Sequence, residues 1–203
     1  MKQILFLLLA CICLPLSAEN IIFRADSMTG SSSESAEYAK LNGNATIITP
    51  TMEIYADTIE MSGKNYRYIK ASGNVSGTNT ESKIDFTCEQ LIYDRDTEVA
   101  TMQNTVHLVD RENETVANAE VMDYDKKKDT VIMQISVTMQ QKNNICIGSH
   151  AVYNTATRML YLSGNPQITQ GSDVFRAQEI SLNLDTQEVQ LHGRVRGSVT
   201  DND

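Results

Sequence analysis

The sequence predicts an all-β protein built from about six repeats of roughly 30 residues each. One short strand-like motif recurs six times along the 203-residue chain, and a second motif recurs between its copies. No segment after residue 20 has sustained helical periodicity, whereas Thr, Val, Ile and Ser are abundant throughout. A period in this range is typical of stacked β architectures.

The first motif reads apolar, any residue, small, two mostly polar residues and apolar. In Phe86, Cys88 and Leu91 the spacing of the inward residues changes from two to three. Because side chains alternate between the faces of a strand, this change reverses the phase once. The apolar residues stay on one face only if the chain bulges or turns a corner there. The small position recurs every 29 to 32 residues, at Ala25, Ala56, Cys88, Ala119, Gly148 and Ala177.

The second motif has a glycine at its centre in four of six copies, with mostly apolar residues two positions to either side. A glycine inside a strand indicates a bulge or a close approach of two backbones rather than a hairpin turn. Each repeat therefore supplies two strands, about a dozen in all. The centres recur every 29 to 31 residues, at Gly43, Gly73, Asn104, Ile135, Gly164 and Gly193.

The N-terminus is typical of a secretory signal. Lys2 precedes the apolar residues 4–16, a run that is shorter than the about 20 residues of a membrane span, and Ala18 is the expected cleavage site. The domains predicted are a signal peptide over 1–18 and a single β domain over 19–203. A lipoprotein attached at Cys11 and an uncleaved anchor remain alternatives. The polar stretch 28–35 is predicted to be a loop.

Charge and cysteine content exclude some classes and leave others open. The net charge of −9 argues against nucleic-acid binding and against electrostatic capture of an anionic membrane. Cys88 and Cys146 remain after cleavage and lie two repeats apart, which predicts a separation of about 10 Å if each repeat advances one strand spacing. A disulfide needs Cα atoms within about 7 Å, so buried unpaired thiols are favoured, although pairing stays open.

No catalytic or metal-binding constellation is apparent. His107, His150 and His192 lie far apart, and none has a ligand partner at metal-binding spacing. There is no nucleophile elbow, zinc helix or phosphate loop. A carboxylate pair on a β-solenoid stays open as a minor alternative, but no two acidic residues stand out. No enzyme activity, metal or cofactor is therefore expected.

The inward face suggests a binding surface. Its apolar positions contain few aromatic residues and many methionines, which suit an adaptable apolar surface. A repeat-built sheet that does not close leaves a groove, where a fatty chain gains about 0.8 kcal/mol per buried CH₂. The alternative is a packed, dry core in a structural or adhesive secreted β-solenoid with protein partners.

Several segments together resemble one known family. They are Ile54 to Met61 (Ile-Tyr-Ala-Asp-Thr-Ile-Glu-Met), Ala71 to Val75 (Ala-Ser-Gly-Asn-Val) and Leu162 to Gly171 (Leu-Ser-Gly-Asn-Pro-Gln-Ile-Thr-Gln-Gly). With the signal sequence, they resemble the organic-solvent-tolerance (OstA-like) family, in particular its periplasmic bridge proteins of lipopolysaccharide transport. The resemblance covers residues 21–199. The Gly-Asn pair is absent at 104–105 and 135–136, where the match to the family pattern is weaker.

The resemblance implies an open, twisted antiparallel β-jellyroll that carries lipopolysaccharide through the periplasm from the inner to the outer membrane. Lipid A acyl chains would lie in the groove, and the partners would be like-folded domains of inner- and outer-membrane transport proteins or further copies joined head to tail. The residues predicted to line the lipid groove are Leu41, Ile47, Ile54, Phe86, Leu91, Met102, Val106, Met133, Ile135, Val137, Leu160, Leu162, Ile168, Phe175, Leu182 and Leu191. Those predicted at the oligomer edges are Ile22, Phe23, Val189, Leu191 and Val195.

Overall fold

The computed structural model describes residues 21–33 and 36–200, so the predicted signal peptide, Cys11 and the cleavage site lie outside the described residues. Within this part of the chain there are sixteen strand segments and two single-turn 3-10 helices (64–66 and 126–128). The strands are β1 (Ile22–Arg24), β2 (Ser27–Ser33), β3 (Ala36–Ile48), β4 (Met52–Ser62), β5 (Tyr68–Asn79), β6 (Ile84–Asp94), β7 (Val99–Asp110), β8 (Thr115–Asp125), β9 (Thr130–Gln141), β10 (Asn144–Asn154), β11 (Met159–Ser163), β12 (Gln167–Gln170), β13 (Asp173–Arg176), β14 (Glu179–Asn183), β15 (Val189–His192) and β16 (Arg196–Ser198).

All strand pairings in the described residues are antiparallel, and the segments form one open sheet in which β3 to β10 pair in sequence order. β1 and β2 both pair with β3, and β11 and β12 both pair with β10. The segments therefore follow twelve strand paths, four of them interrupted. The predicted all-β class and the dozen strands are confirmed. The predicted loop over 28–35 is wrong for residues 28–33, because 27–33 form β2, which pairs with β3; residues 34–35 lie outside the described residues.

Six of the twelve strand paths, every second one, have two consecutive residues with positive φ near their middle, and the sheet bends there. The pairing register shifts at these places, for example between Ser72 and Val75 and between Gln103 and Val106. The pairs are 43–44, 73–74, 104–105, 135–136, 164–165 and 193–194, which are the centres of the second sequence motif. The predicted bulges are confirmed, and the backbone keeps the same conformation where glycine is missing.

The two sequence motifs meet at these bends. Asp26 lies against Gly43 and accepts a hydrogen bond from Asn44 Nδ2 at 2.9 Å. Asp57 makes the same two contacts in the next repeat. It lies against Gly73 and accepts a hydrogen bond from Asn74 Nδ2 at 2.9 Å. A Cβ at either glycine would collide with the carboxylate, so the polar residue after the small position and the glycine of the next strand form one corner.

The bends divide the sheet into two arms that face each other. The first arm carries the turns at 49–51, 80–83, 111–114, 142–143 and 171–172. The second arm carries the turns at 63–67, 95–98, 126–129, 155–158 and 184–188. Successive turns of one arm are joined by backbone hydrogen bonds, such as Arg95 N to Arg67 O at 3.0 Å and Arg111 N to Lys83 O at 3.1 Å. Each arm therefore has a continuous, braced tip.

The core lies between the arms. Inward side chains form rows that cross the whole sheet, and one buried cluster includes members of both arms. One row of the first arm passes through Ile47, Ile54, Phe86 and Ile168. An open sheet therefore buries its apolar face by packing one arm against the other.

Candidate functional site

The interior contains a cavity of about 270 Å³ between the arms, across strands β4 to β10. Its walls are mostly apolar, with Phe86, Leu108 and Ala117 on the first arm and Leu91 on the second. Five methionines contribute, and their unbranched side chains can adapt to different apolar occupants. They are Met52, Met102, Met122, Met133 and Met139.

A row of tyrosines lies on the second arm, where the cavity approaches the tip. Tyr93, Tyr124 and Tyr153 come from alternate strands and are separated in the row by Ala100 and Val131. Burial raises the pKa of the Tyr124 and Tyr153 phenols, so both rings stay uncharged at neutral pH. Each presents an apolar ring to the cavity and a polar hydroxyl near its mouth.

The mouth of the cavity is polar. On the first arm it is bordered by Asp110, Glu112 and Asn113, and on the second by Thr155 and Arg158. Asp110 accepts hydrogen bonds from the backbone N–H and the side-chain amide of Asn113, at 2.9 and 2.7 Å. Arg158 is held by Tyr153 and by Asp185, the latter at 3.2 Å. The site is therefore an amphipathic cleft with an apolar interior and a hydrogen-bonding rim.

Most of the predicted groove residues lie on the inward face. Leu41, Ile47, Ile54, Phe86, Leu91, Met102, Val106, Met133, Val137, Leu160, Leu162, Ile168 and Leu182 are buried, and Phe175 and Leu191 pack partly buried against the same cluster. Only Phe86, Leu91, Met102 and Met133 line the cavity itself. The others fill the packed interior on either side of it, so the apolar face is an open cavity only in its centre.

Ile135 is not an inward residue, and its assignment to the groove is wrong. Its side chain is 56% exposed, while Met133 and Val137 on either side of it are 1% exposed. Residues 135 and 136 form the positive-φ pair of their strand, with φ of 63° and 53°. The spacing of two suggested a common face, but the bulge takes residue 135 out of the strand alternation.

The two edges of the sheet lie where the resemblance placed them. β1 and β2 pair only with β3 among the described strands, β15 only with β14 and β16 only with β13. Ile22, Phe23 and Val195 are exposed, whereas Val189 and Leu191 are half-buried against the core. Unpaired backbone groups and exposed apolar side chains make both edges competent for strand addition.

Cys88 and Cys146 are free and buried. Burial raises the pKa of Cys88 to about 11 and that of Cys146 to about 12, so neither is a reactive thiolate at neutral pH. β6 and β10 are four strand positions apart along the sheet, about 19 Å at a spacing of ~4.8 Å. The expected separation of about 10 Å is wrong because each repeat contributes two strands, not one.

Neither a metal-binding group nor a membrane-spanning helix is found in the described residues. Within residues 21–33 and 36–200, no group of three His, Cys, Asp or Glu side chains is placed to hold a metal ion. No helix in that part of the chain is long and apolar enough to cross a membrane.

Several site residues were missed from the sequence. Met122 follows the same alternation as the predicted inward residues, so the pattern could have found it. Tyr153 faces inward two residues after Ala151, but it lies near the end of β10 and outside the first sequence motif. Thr155 and Arg158 lie in a turn, where strand periodicity carries no information.

Together these features define an open antiparallel β-jellyroll with an apolar cavity between two arms. The profile of the LptA/(LptD N-terminal domain) LPS transport protein family matches residues 24–159, about two thirds of the chain. The chain belongs to this lipopolysaccharide-transport family, which confirms the predicted resemblance.

One solved structure with similarity is that of LptH from Pseudomonas aeruginosa, described as the LptA homologous periplasmic component of the conserved lipopolysaccharide transport device. It is 12% identical, and the alignment covers 90% of this chain and 96% of that chain at a TM-score of 0.28. The family assignment rests on the profile match over residues 24–159. No curated protein sequence matches the chain.

Proposed function

We propose that this protein is a non-enzymatic periplasmic carrier that holds the acyl chains of lipopolysaccharide between its two arms and passes them from the inner toward the outer membrane. The observation that carries the proposal is the methionine-lined cavity at the centre of a jellyroll of the lipopolysaccharide-transport family. The arms would enclose the acyl chains while the sugars remain outside the polar mouth.

The energetics favour apolar rather than electrostatic binding. The chain has a net charge of −9, and the mouth includes Asp110 and Glu112, so the anionic part of the lipid gains no general attraction. A buried acyl chain of about ten carbons gains roughly 8 kcal/mol, at about 0.8 kcal/mol per CH₂. Transfer between sites of the same kind leaves this gain nearly unchanged, which suits a carrier.

The partners would dock through the sheet edges. β1 and β2 at one end and β15 and β16 at the other present unpaired strand backbone. Like-folded domains in the two membranes, or further copies of this chain joined head to tail, would extend the sheet by strand addition and align their interiors. A secretory signal over 1–18 would deliver the protein to the periplasm.

A cavity-filling substitution tests the proposal. Ala117 is 4% exposed and lines the cavity, whereas Val116 lies next to it on the outer face of the same strand. We expect Ala117→Phe to weaken lipopolysaccharide binding and Val116→Phe to leave it unchanged, measured by displacement of a fluorescent fatty-acid probe. Circular dichroism would verify that both variants fold. Equal binding by folded Ala117→Phe protein would contradict the proposal and favour the dry-core alternative.

A further inference from the structure

The cavity is too small for a lipid with several acyl chains. A cavity of roughly 150 Å³ holds a benzene molecule, so about 270 Å³ corresponds to roughly ten carbons, or one acyl chain. Under the proposed function, the arms must therefore separate beyond the conformation described here. The contacts that hold the arms together then decide where this separation is possible.

Toward the C-terminal edge, the interior is filled. Six inward side chains beyond β10 are between 0% and 2% exposed, and the cavity ends at Tyr153, Thr155 and Arg158. The filled part consists of Leu160, Leu162, Ile168, Ile180, Leu182 and Leu184. A lipid that reaches the last strands from the cavity must part the arms along this packed section.

The turn at 184–188 spans the mouth over this section, and we call it the strap. Gln187 extends from the strap to the first arm, where its side-chain oxygen accepts a hydrogen bond from Asn144 Nδ2. Its Nε2 lies 3.4 Å from Gln141 Oε1, and Gln141 Nε2 donates to Asn113 O at 3.2 Å. Gln141 and Asn144 are 4% and 3% exposed, so these polar groups depend on each other.

The strap is also anchored to its own arm. Leu184 is 1% exposed, and its backbone N–H donates to Arg158 O at 2.9 Å. Asp185 contacts Arg158 Nε at 3.2 Å, but its carboxylate is 66% exposed. The strap is therefore fixed firmly at Leu184 and joined to the opposite arm through amide hydrogen bonds. Such bonds can exchange with water when the arms part.

We propose that the strap is a gate between the central cavity and the C-terminal edge, and that the contacts of Gln187 with Asn144 and Gln141 must open for an amphiphile to pass. This inference rests on the proposed lipid-carrier function. It adds that uptake into the cavity and passage toward β15 are separate steps, and that the strap controls only the second.

A reversible lock tests the gate. Asn144→Cys and Gln187→Cys would be combined in the full-length chain with Cys88→Ala and Cys146→Ala, because Cys146 lies near Asn144 in the same strand. Oxidation, or a short thiol cross-linker, would tie the arms together. Each single-cysteine variant in the same background is the matched control.

The readout uses a photo-crosslinking residue at Met133 in the cavity or at Leu191 near the C-terminal edge, in cells that make lipopolysaccharide. The gate predicts that the locked protein keeps the lipid adduct at 133 and loses it at 191. Reduction of the disulfide should restore the adduct at 191. In otherwise native protein, Gln187→Ala should increase it, with circular dichroism as the check on folding.

The other outcomes separate the two proposals. An adduct at 191 that is undiminished by locking overturns the gate and leaves the carrier function standing. Loss at both positions on locking shows that the strap controls uptake, which overturns the role stated here. Absence of an adduct at 133 in both the locked and the reduced protein overturns the carrier function and the gate with it.

Discussion

The bulge at Ile135 provides a quantitative test of how the repeat shapes the backbone. Ile135 has φ of 63°, a conformation that a β-branched residue rarely adopts, and the equivalent position is glycine in four of the six repeats. Its side chain is 56% exposed, so replacing it removes little packing. Ile135→Gly should therefore relieve backbone strain at small cost in contacts.

The magnitude follows from comparison with Ile145, an outward residue of β10 that is 45% exposed and has no positive φ. At either site, glycine weakens the strand by about 0.5–1 kcal/mol through backbone entropy. Only at 135 does it also remove the left-handed strain of about 1–2 kcal/mol. The free energy of unfolding of Ile135→Gly should thus exceed that of Ile145→Gly by about 1–2 kcal/mol.

Urea denaturation followed by circular dichroism would measure this difference. Thermal unfolding would show it as about 2–8 °C in Tm, at roughly 2–4 °C per kcal/mol for a chain of this length. If Ile135→Gly destabilises the protein as much as Ile145→Gly, residue 135 carries no strain, and the proposed conformational role of the second motif is wrong.

Three further predictions concern other parts of the fold. Gly73→Ala should destabilise the protein by about 1–2 kcal/mol in urea, because φ is 78° and the added methyl would meet a corner carboxylate. Arg67 forms a bidentate pair with Asp94 and lowers the pKa of that carboxyl in the folded protein. The stabilisation is therefore present above the unfolded pKa of about 3.9 and is lost progressively as pH falls from there through the lowered folded pKa. Asp94→Asn should flatten this acid loss in urea titrations at different pH values. Cys88 and Cys146 should resist a thiol reagent in the folded protein, and both should react under non-reducing denaturation; a disulfide would leave neither reactive.

Much of the fold was predictable because each repeat contains two motifs, one per strand, and each motif marks the residues that face inward. The change of spacing from two to three at Ala56 and Cys88 located the bends, and the glycines at 43 and 73 located the bulges that face them. The spacing did not reveal whether the side chain of a residue within a bulge points inward or outward. Ile135 has the apolar character of its neighbours, but the backbone directs it outward.

The site was less predictable, for a different physical reason. Strand alternation separates inward from outward residues, but it does not show where inward side chains leave a space. The interior is packed around Ile59 and Leu182 and open around Met102 and Met133. The strap residue Gln187 belongs to a turn, and its partners across the mouth depend on the curvature of the whole sheet. Such contacts are not encoded in any local pattern.

The most direct test of the account is photo-crosslinking at Met133 and Ile135 in living cells that make lipopolysaccharide. The two residues are close together in one strand, yet Met133 is 1% exposed and lines the cavity, whereas Ile135 is 56% exposed on the outer surface. The account predicts a lipopolysaccharide adduct at 133 and none at 135. A folded protein that gives no adduct at 133, or equal adducts at both positions, would contradict the claim that lipid lies between the arms.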